Sequence, residues 1–507
     1  MLTSKQPNMK FNRIPTAFVW ALSGLLLFGC GKLEDLNVNP NQPEAVTPDI
    51  LLPGVIRDIS NTLVGHAFFI SNCASQHSAK SLRNEVDIYN WNSAPIIGVE
   101  PLWQGLYGAL RDIRNIEIAA RESGDDHLLG VALTLKAFAF SVLTDTYGDV
   151  PYRDALSGSD GVFYPAYDSQ ESIYTGTDGL FDLLDEAHTL FTNAGVGTVN
   201  GDILFAGDSD LWHRFANALH LRLLMHAEGQ IDVAAAFADV ASRPLMEGTA
   251  HNAELVYLGS FPNEYPLIPF KTGDFESVRL GEQLFQQLST TSDPRLMAFA
   301  RPTDETIGSD SEVYEGWING GKGCDDSGSR LGYAYYDYPG HPVAADKATG
   351  VWMSFAEQSF ILAEGALNGW IAEDAEAHYN AGIEASMVDH DANPENTGLT
   401  SVEDFLAQPE VAWDGTALRL MEQKWVALYF HGMESYFEVR RWYHNAGGDW
   451  AQMPFLTPPC NNSNGDELPM RFVYPGEEQS LNGVNNAAAV ALLGSNDFNA
   501  RMWLVSE

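Results

Sequence analysis

Basic side chains are scarce in this chain of 507 residues. It carries 28 lysines and arginines against 68 aspartates and glutamates, which gives a formal net charge of −40. A surface this acidic repels polyanions over a Debye length of roughly 8 Å at physiological salt, so the composition argues against nucleic acid and polyanionic substrates. The alternative without functional content is a solvated surface adapted to a salty medium. Hydrophobic residues make up 45% of the chain, which predicts a packed body and not a disordered stalk.

Cysteine is equally rare, with four in the whole chain. Cys73, Cys324 and Cys460 follow Cys30 at wide and irregular separations. Three scattered thiols are too few for a disulfide framework or a structural zinc site. At most one pair of them can form a bridge.

The usual catalytic motifs are missing. The chain has no Gly-x-Ser-x-Gly elbow, no His-Glu-x-x-His pair and no Gly-x-x-x-x-Gly-Lys-Ser/Thr loop. His213, His220 and His226 share one predicted helix at steps of seven and six, which favours packing roles over metal ligation. We therefore predict no catalytic residues and no metal site. Two acidic turns, residues 124–126 and 157–160, are the candidates for a structural calcium ion, although neither has the alternating acidic ligands of a dedicated loop.

The N-terminus has the pattern of a secretory signal. Lys5, Lys10 and Arg13 precede an apolar run over residues 17–28, which is shorter than the roughly 20 apolar residues that span a bilayer. A glycine directly before Cys30 resembles the lipobox of bacterial lipoproteins. We predict a signal peptide over 1–29, lipidation of Cys30 and an extended tether over 30–47, which is rich in Asn and Pro. No later apolar run is predicted to cross a membrane.

Helical periodicity dominates the rest. Apolar residues from Leu128 to Val142 recur at steps of three and four, so they form one stripe along a helix that ends at the Gly and Pro of residues 147–152. Further helices are predicted near residues 99–121, 179–194, 209–229, 231–243, 352–370, 372–388 and 416–444. The pair 352–370 and 372–388 has small residues for close contact and a tetratricopeptide-like span, so we predict a mainly α fold of degenerate tetratricopeptide-like helix pairs. One domain would cover 48–507, with long loop insertions near 245–275 and 300–350.

Two groups on these helices are predicted to be structural. The charges on the 416–444 helix are expected to pair at helical spacings; they are Glu422, Glu434, Glu438, Arg440 and Arg441. The tryptophans inside helical patterns are expected to fill the core; they are Trp103, Trp212, Trp370 and Trp425.

Several separated stretches resemble the SusD/RagB family of surface lipoproteins, in family order from residue 33 to about 490. They are LNVNPNQP after the cysteine, TDTYGDVPY at residues 144–152, LWHRFANALHLRLLMH from Leu211, FAEQSFILAEGALNGW at residues 355–370, MEQKWVALYFHGMESYFEVRRW at residues 421–442 and RFVYPGEEQSLN at residues 471–482. The FAEQSFILAEGALNGW stretch is similar to the starch-binding variant associated with the outer membrane. Lys32, Glu34 and Asp35 resemble the signal that routes such lipoproteins to the outer face of that membrane.

This resemblance implies a non-catalytic lipoprotein that captures a glycan and delivers it to a TonB-dependent, SusC-like outer-membrane transporter. The acidic composition favours a neutral glycan, and no cofactor is expected. Three alternatives remain: capture of peptides, as in RagB-like relatives, a surface glycoside hydrolase, and a scaffold that binds the transporter alone.

Two segments outside the helices combine aromatic and short polar side chains. Sugar rings stack on flat aromatic faces and their hydroxyls need polar partners, so such segments are candidate glycan sites. The family's site is likewise built from an early loop and one past the middle of the chain, which implies Trp91, Trp317 and some tyrosines as the stacking platform. The candidate glycan-binding residues are Tyr89, Asn90, Trp91, Tyr314, Trp317, Asn319, Arg330, Tyr333, Tyr335 and Tyr336. The alternative for the tyrosines is that they pack a loop onto the helical body.

Overall fold

The computed structural model describes residues 47–82, 85–91, 99–258, 263–267, 277–321, 328–332 and 349–506. Cys30 and the predicted signal and tether up to residue 46 lie outside them, as does Cys324. In the described residues Cys73 is a buried free thiol and Cys460 an exposed one.

The described residues are mainly helical, which confirms the predicted fold class. The helices are α1 (Pro48–Thr62), α2 (Phe68–Ala74), α3 (Val99–Ser123), α4 (Asp126–Tyr147), α5 (Gln170–Thr175), α6 (Leu180–Ala194), α7 (Ser209–Ala227), α8 (Ala234–Ala241), α9 (Glu282–Thr290), α10 (Arg295–Phe299), α11 (Phe355–Leu367), α12 (Ala375–Asp389), α13 (Val402–Leu406), α14 (Ala417–Ala427), α15 (Glu434–Asn445), α16 (Gly476–Leu481) and α17 (Gly483–Leu493). The strands are β1 (Ser78–Lys80), β2 (Val150–Pro151), β3 (Tyr167–Asp168), β4 (Ala253–Val256), β5 (Val278–Leu280) and β6 (Thr349–Met353).

The strands form three small antiparallel pairs: β1 with β5, β2 with β3 and β4 with β6. β4 lies inside 245–275 and pairs with β6 at the end of 300–350, so neither insertion is loop throughout. Residues Pro48–Glu507 gather into a single compact unit.

Helices that are neighbours in the sequence pack side by side. The main contacts join α1 to α3, α3 to α4, α4 to α6, α6 to α7 and α11 to α12. At the last of these, Gly382 of α12 faces Phe360, where an added Cβ would lie 2.8 Å from the ring. Gly365 of α11 instead accommodates Phe237 of α8. The small residues that the sequence offers for close contact are Ala363, Gly365, Ala366, Ala375, Ala377 and Ala381. Of these, Ala363 and Gly365 are buried and Ala377 is exposed, whereas α12 approaches α11 closely at Gly382.

α4 is the central helix of the body. Asp125 caps its start by accepting the Leu128 amide, and Gly148, at φ 83°, ends it where predicted. From Leu129 onward every residue of α4 except Lys136 is buried, because other helices surround it. By length and composition it would pass as a membrane span, contrary to the expectation that no later segment would. Its burial identifies it as a core helix instead.

The helix predicted over 416–444 is interrupted. α14 ends at Ala427 and α15 begins at Glu434. Phe430 and Gly432 between them have φ values of 68° and 53°, which no right-handed helix accommodates. Of the four tryptophans assigned to the core, Trp103, Trp212 and Trp425 are buried. Trp370 is half-buried, with its ring 5.2 Å from Phe237.

Candidate functional site

The first segment predicted to bind glycan presents no aromatic face. Tyr89 and Trp91 are 0% and 1% exposed. The Trp91 ring packs edge-on at 5.3 Å against Phe472 and its Nε1 donates to the Val86 carbonyl, while the Tyr89 hydroxyl donates to the Ala74 carbonyl. The prediction that these rings form a stacking platform is therefore wrong. Burying each ring in the core removes more apolar surface from water, and so stabilises the fold more, than a position at the surface would.

Trp317 and Asn319 are also structural. Trp317 is 6% exposed, its ring covers Gly328, and its backbone nitrogen donates to the Leu280 carbonyl at 2.8 Å. The Asn319 amide donates to the Ser78 carbonyl at 2.8 Å. These contacts attach the second predicted segment to the β1–β5 pair, so the prediction that these two side chains meet a ligand is corrected.

The other predicted residues remain candidates for glycan binding. Asn90, Tyr314 and Arg330 are half-buried, and Arg330 pairs with Asp304 at 2.5 Å. Tyr333, Tyr335 and Tyr336 lie outside the described residues, so their assignment stays a prediction.

Although several rings are buried, the two predicted segments do meet. A third segment, residues 457–464, joins them: the Cys460 amide donates to the Asn319 carbonyl at 2.8 Å and the Ser463 amide to the Ile88 carbonyl at 2.8 Å. The Asn461 side chain donates to the Gly320 carbonyl at 3.0 Å. We call the surface formed by residues 85–91, 314–321 and 457–466 the loop face.

The exposed side chains of the loop face are mostly short and polar. Asn461, Ser463 and Asp466 are exposed, as is the apolar Ile318 at 58%. Sequence reasoning missed the 460–466 stretch, although CNNSNGD has the Asn, Ser and Asp composition that sugar hydroxyls need. Polar turns are common, and the stretch lies more than 100 residues from the predicted segments.

Asp87 lies buried beneath the loop face. Its carboxylate accepts the Lys80 amide at 2.6 Å and a backbone hydrogen bond from Gly320. Burial raises the pKa of Asp87 to about 7, although these bonds favour the charged form. The carboxylate thus connects β1 to the second segment.

A network of charges is buried deeper in the helical body. Arg222 of α7 holds Glu357 of α11 through two contacts of 2.6 Å. His226 contacts Asp145 through Nδ1 and Glu434 through Nε2, both at 2.8 Å. Burial alone would lower the pKa of His226, but the two carboxylates, Glu434 first, raise it to about 10.

The same network includes the charged residues expected to pair on one helix. Glu438 pairs with Arg441 at 2.8 Å, at the predicted i,i+3 spacing, and with Lys424 at 2.7 Å. Burial would raise the pKa of Glu438, but Arg441 and Lys424 hold it below its usual value. Most of these pairs are buried and join different helices, whereas the sequence indicated pairing along a single helix.

His226, Glu434 and Glu438 are a group of potential metal ligands in the described residues. Arg222, Lys424 and Arg441 already neutralise their carboxylates. The arrangement is a closed ion-pair network and not a vacant metal site. In the two candidate calcium turns, Asp125 caps α4 and Asp160 pairs with Arg114 at 2.7 Å.

Helices packed in successive pairs are the architecture of helical-repeat proteins. A family model described as starch-binding, SusD-like and associating with the outer membrane matches residues 40–475. The chain therefore belongs to the SusD-like family.

Solved structures show the same fold. A SusD homologue from Bacteroides fragilis has 24% identity and a TM-score of 0.75, over 91% of this chain and 100% of its own. A second from the same species has 25% identity and a TM-score of 0.74, with the same coverage. A chitin-binding SusD homologue from Flavobacterium johnsoniae has 21% identity and a TM-score of 0.71, over 90% of this chain and 99% of its own. A search of curated proteins gives no match.

Proposed function

We propose that this protein is a non-catalytic surface lipoprotein that captures a glycan and delivers it to a TonB-dependent outer-membrane transporter. The observation that carries the proposal is the loop face. Three segments far apart in the sequence meet there, on a chain whose family is described as starch-binding and associating with the outer membrane. Lipidation of Cys30 would supply the anchor.

Two features support a neutral glycan as the ligand. Apart from Ile318 and Cys460, the exposed side chains of the loop face carry amides, hydroxyls and carboxylates, which pair with sugar hydroxyls. The net charge of −40 disfavours an anionic polymer. The half-buried Tyr314 is the described aromatic residue that we assign to ring stacking.

Calorimetric titration of the intact protein with neutral oligosaccharides, including starch-derived and chitin-derived ones, tests the proposal. We expect Tyr314→Ala to weaken binding about tenfold, corresponding to roughly 1.4 kcal/mol, because the stacking surface is lost. Asn461→Ala should weaken it similarly. Tyr164→Ala is the matched control, since Tyr164 is 70% exposed and its backbone contacts Asn485 of α17. Failure of every glycan to bind would overturn the proposal.

Peptide capture is the second candidate, as in RagB-like relatives. Its support is the same loop face, since amide-rich loops also bind extended backbone through hydrogen bonds. A peptide library titrated in parallel separates the two functions. Binding of peptides without any response to glycans would favour this alternative.

A further inference from the structure

A second candidate site lies away from the loop face, between α6 and α7. A cavity of about 690 Å³ opens to solvent there, closed on one side by residues 242–244 after α8. Its lining includes His188 and Phe191 of α6, Asp210 and His213 of α7, and Arg243. Neither the loop face nor the buried ion-pair network includes these residues.

His188 and His213 line this cavity, and the buried Asn217 lies directly behind them. His188 Nδ1 lies 2.9 Å from His213 Nε2 and 3.1 Å from Asn217 Oδ1. The Asn217 amide nitrogen donates to the Pro244 carbonyl at 2.9 Å, which turns the Asn217 oxygen toward His188. The His213 ring stacks on Phe191 at 5.5 Å. These contacts fix the orientation of His213 and Asn217, and a metal site requires oriented ligands.

The surroundings of both imidazoles disfavour the protonated form. Burial, followed by the neighbouring His188, lowers the pKa of His213 to about 4. Burial and then Arg243 lower the pKa of His188. A neutral imidazole is the form that binds transition metals.

The two guanidinium groups near the cavity are paired with carboxylates. Arg243 is paired with Asp185 at 2.8 Å and with Asp239 at 2.6 Å. Arg214 is likewise paired with two carboxylates, Asp210 at 2.6 Å and Glu247 at 2.7 Å. The four carboxylates of these pairs outnumber the two guanidinium groups, although Arg243 still lies close enough to His188 to lower its pKa beyond the effect of burial.

We propose that His188, His213 and Asn217 bind a divalent transition-metal ion of the zinc, nickel or copper kind, with water from the cavity completing the coordination. Imidazole nitrogen suits these ions, whereas calcium and magnesium prefer all-oxygen sites. The ion replaces the hydrogen bond between the two imidazoles. His188 then carries its proton on Nε2 and offers the Nδ1 lone pair, so no net proton is released.

The required movement is small. Metal–nitrogen distances of roughly 2.0–2.1 Å in a tetrahedral site place two nitrogens about 3.3 Å apart. The present 2.9 Å between His188 and His213 must therefore widen by about 0.4 Å. A rotation of the half-buried His188 side chain supplies this.

Binding of Zn²⁺ and Cu²⁺ to the intact protein, after removal of metals by a chelator, tests the proposal. We expect one equivalent of Zn²⁺ by calorimetry and a Cu²⁺ electron paramagnetic resonance signal with nitrogen splitting. His188→Gln should weaken binding at least tenfold, and since His188 is only half-buried the fold should be retained, which circular dichroism checks. Asn217→Asp should tighten binding, because a carboxylate replaces a neutral oxygen.

His378→Gln is the matched control, since His378 lies on α12 and pairs with Glu373. It should leave the affinity unchanged. The absence of stoichiometric uptake by the wild-type protein would overturn the proposal. Equal uptake by wild type and His188→Gln would do the same, because it would assign the ion to the acidic surface.

Discussion

Arg222 and Glu357 form a two-point ion pair inside the helical body, in which Arg222 Nε and Nη2 each lie 2.6 Å from a carboxylate oxygen. Their side chains are 5% and 1% exposed. Arg222 also donates to the Trp352 carbonyl at 2.7 Å. The pair thus joins α7, α11 and β6.

Removal of one partner of this pair should strongly destabilise the folded protein. Arg222→Met leaves Glu357 buried without its cation, and we expect the free energy of unfolding to fall by about 3–5 kcal/mol. Urea denaturation measures this. Arg57→Met is the control, because the Arg57–Asp58 pair is largely exposed and should contribute less than about 1 kcal/mol. Equal effects of the two substitutions would contradict the assigned role.

A second prediction concerns the junction of the loop face. Gly320 has a φ of 73°, and a Cβ there would lie 1.9 Å from the Cys460 carbonyl oxygen. Gly320→Ala should therefore displace the 457–464 segment, lower the melting temperature and weaken glycan binding. Gly308→Ala isolates the contribution of backbone strain, because Gly308 has a φ of 76° and no atom within 4 Å. We expect a much smaller loss for Gly308→Ala, and equal losses would show that the contact with Cys460 is unimportant.

A third prediction is a pH dependence that originates at Asp87. Its pKa of about 7 in the folded protein exceeds the ordinary value of 3.8, so the folded state binds the proton more tightly. The contribution of Asp87 to the stability of the folded state is therefore fully present below about pH 4, and it is lost as the pH rises toward 7. In Asp87→Asn this loss is absent, so its free energy of unfolding relative to wild type should increase between pH 4 and 8. Urea titrations at several pH values test this, and a constant difference would contradict the burial of an ionisable group there.

A fourth prediction concerns salt. Nine lysines and arginines are buried among the described residues, against eight aspartates and glutamates. The whole chain has 28 lysines and arginines and 68 aspartates and glutamates. Burial therefore removes a larger share of the basic residues than of the acidic ones, and the surface is more acidic than the composition alone indicates. Repulsion between surface carboxylates should make the protein less stable at about 10 mM than at about 150 mM salt, where the Debye length falls from roughly 30 Å to 8 Å. Melting curves at both concentrations test this, with unchanged melting temperatures as the contradicting result.

The sequence determined the family and most of the long helices, but it missed α1 and α9 and did not indicate which aromatic residues are exposed. The stop of α4 at Gly148 was predicted because Gly and Pro act locally, through their own backbone preferences. The break at Phe430 was missed because its apolar neighbours continue the helical pattern and only the tertiary contacts turn the chain.

Local patterns thus established the mainly α fold and the positions of most long helices, while the family resemblance pointed to the two segments that meet at the loop face. Only the tertiary structure decided that Trp91 and Trp317 pack inward, that residues 460–466 join them, and that His188 faces His213. The physical reason is that the burial of a side chain, and the residues that surround it, depend on contacts between segments that are up to hundreds of residues apart in the sequence. A periodicity of two to four residues carries no information about such meetings.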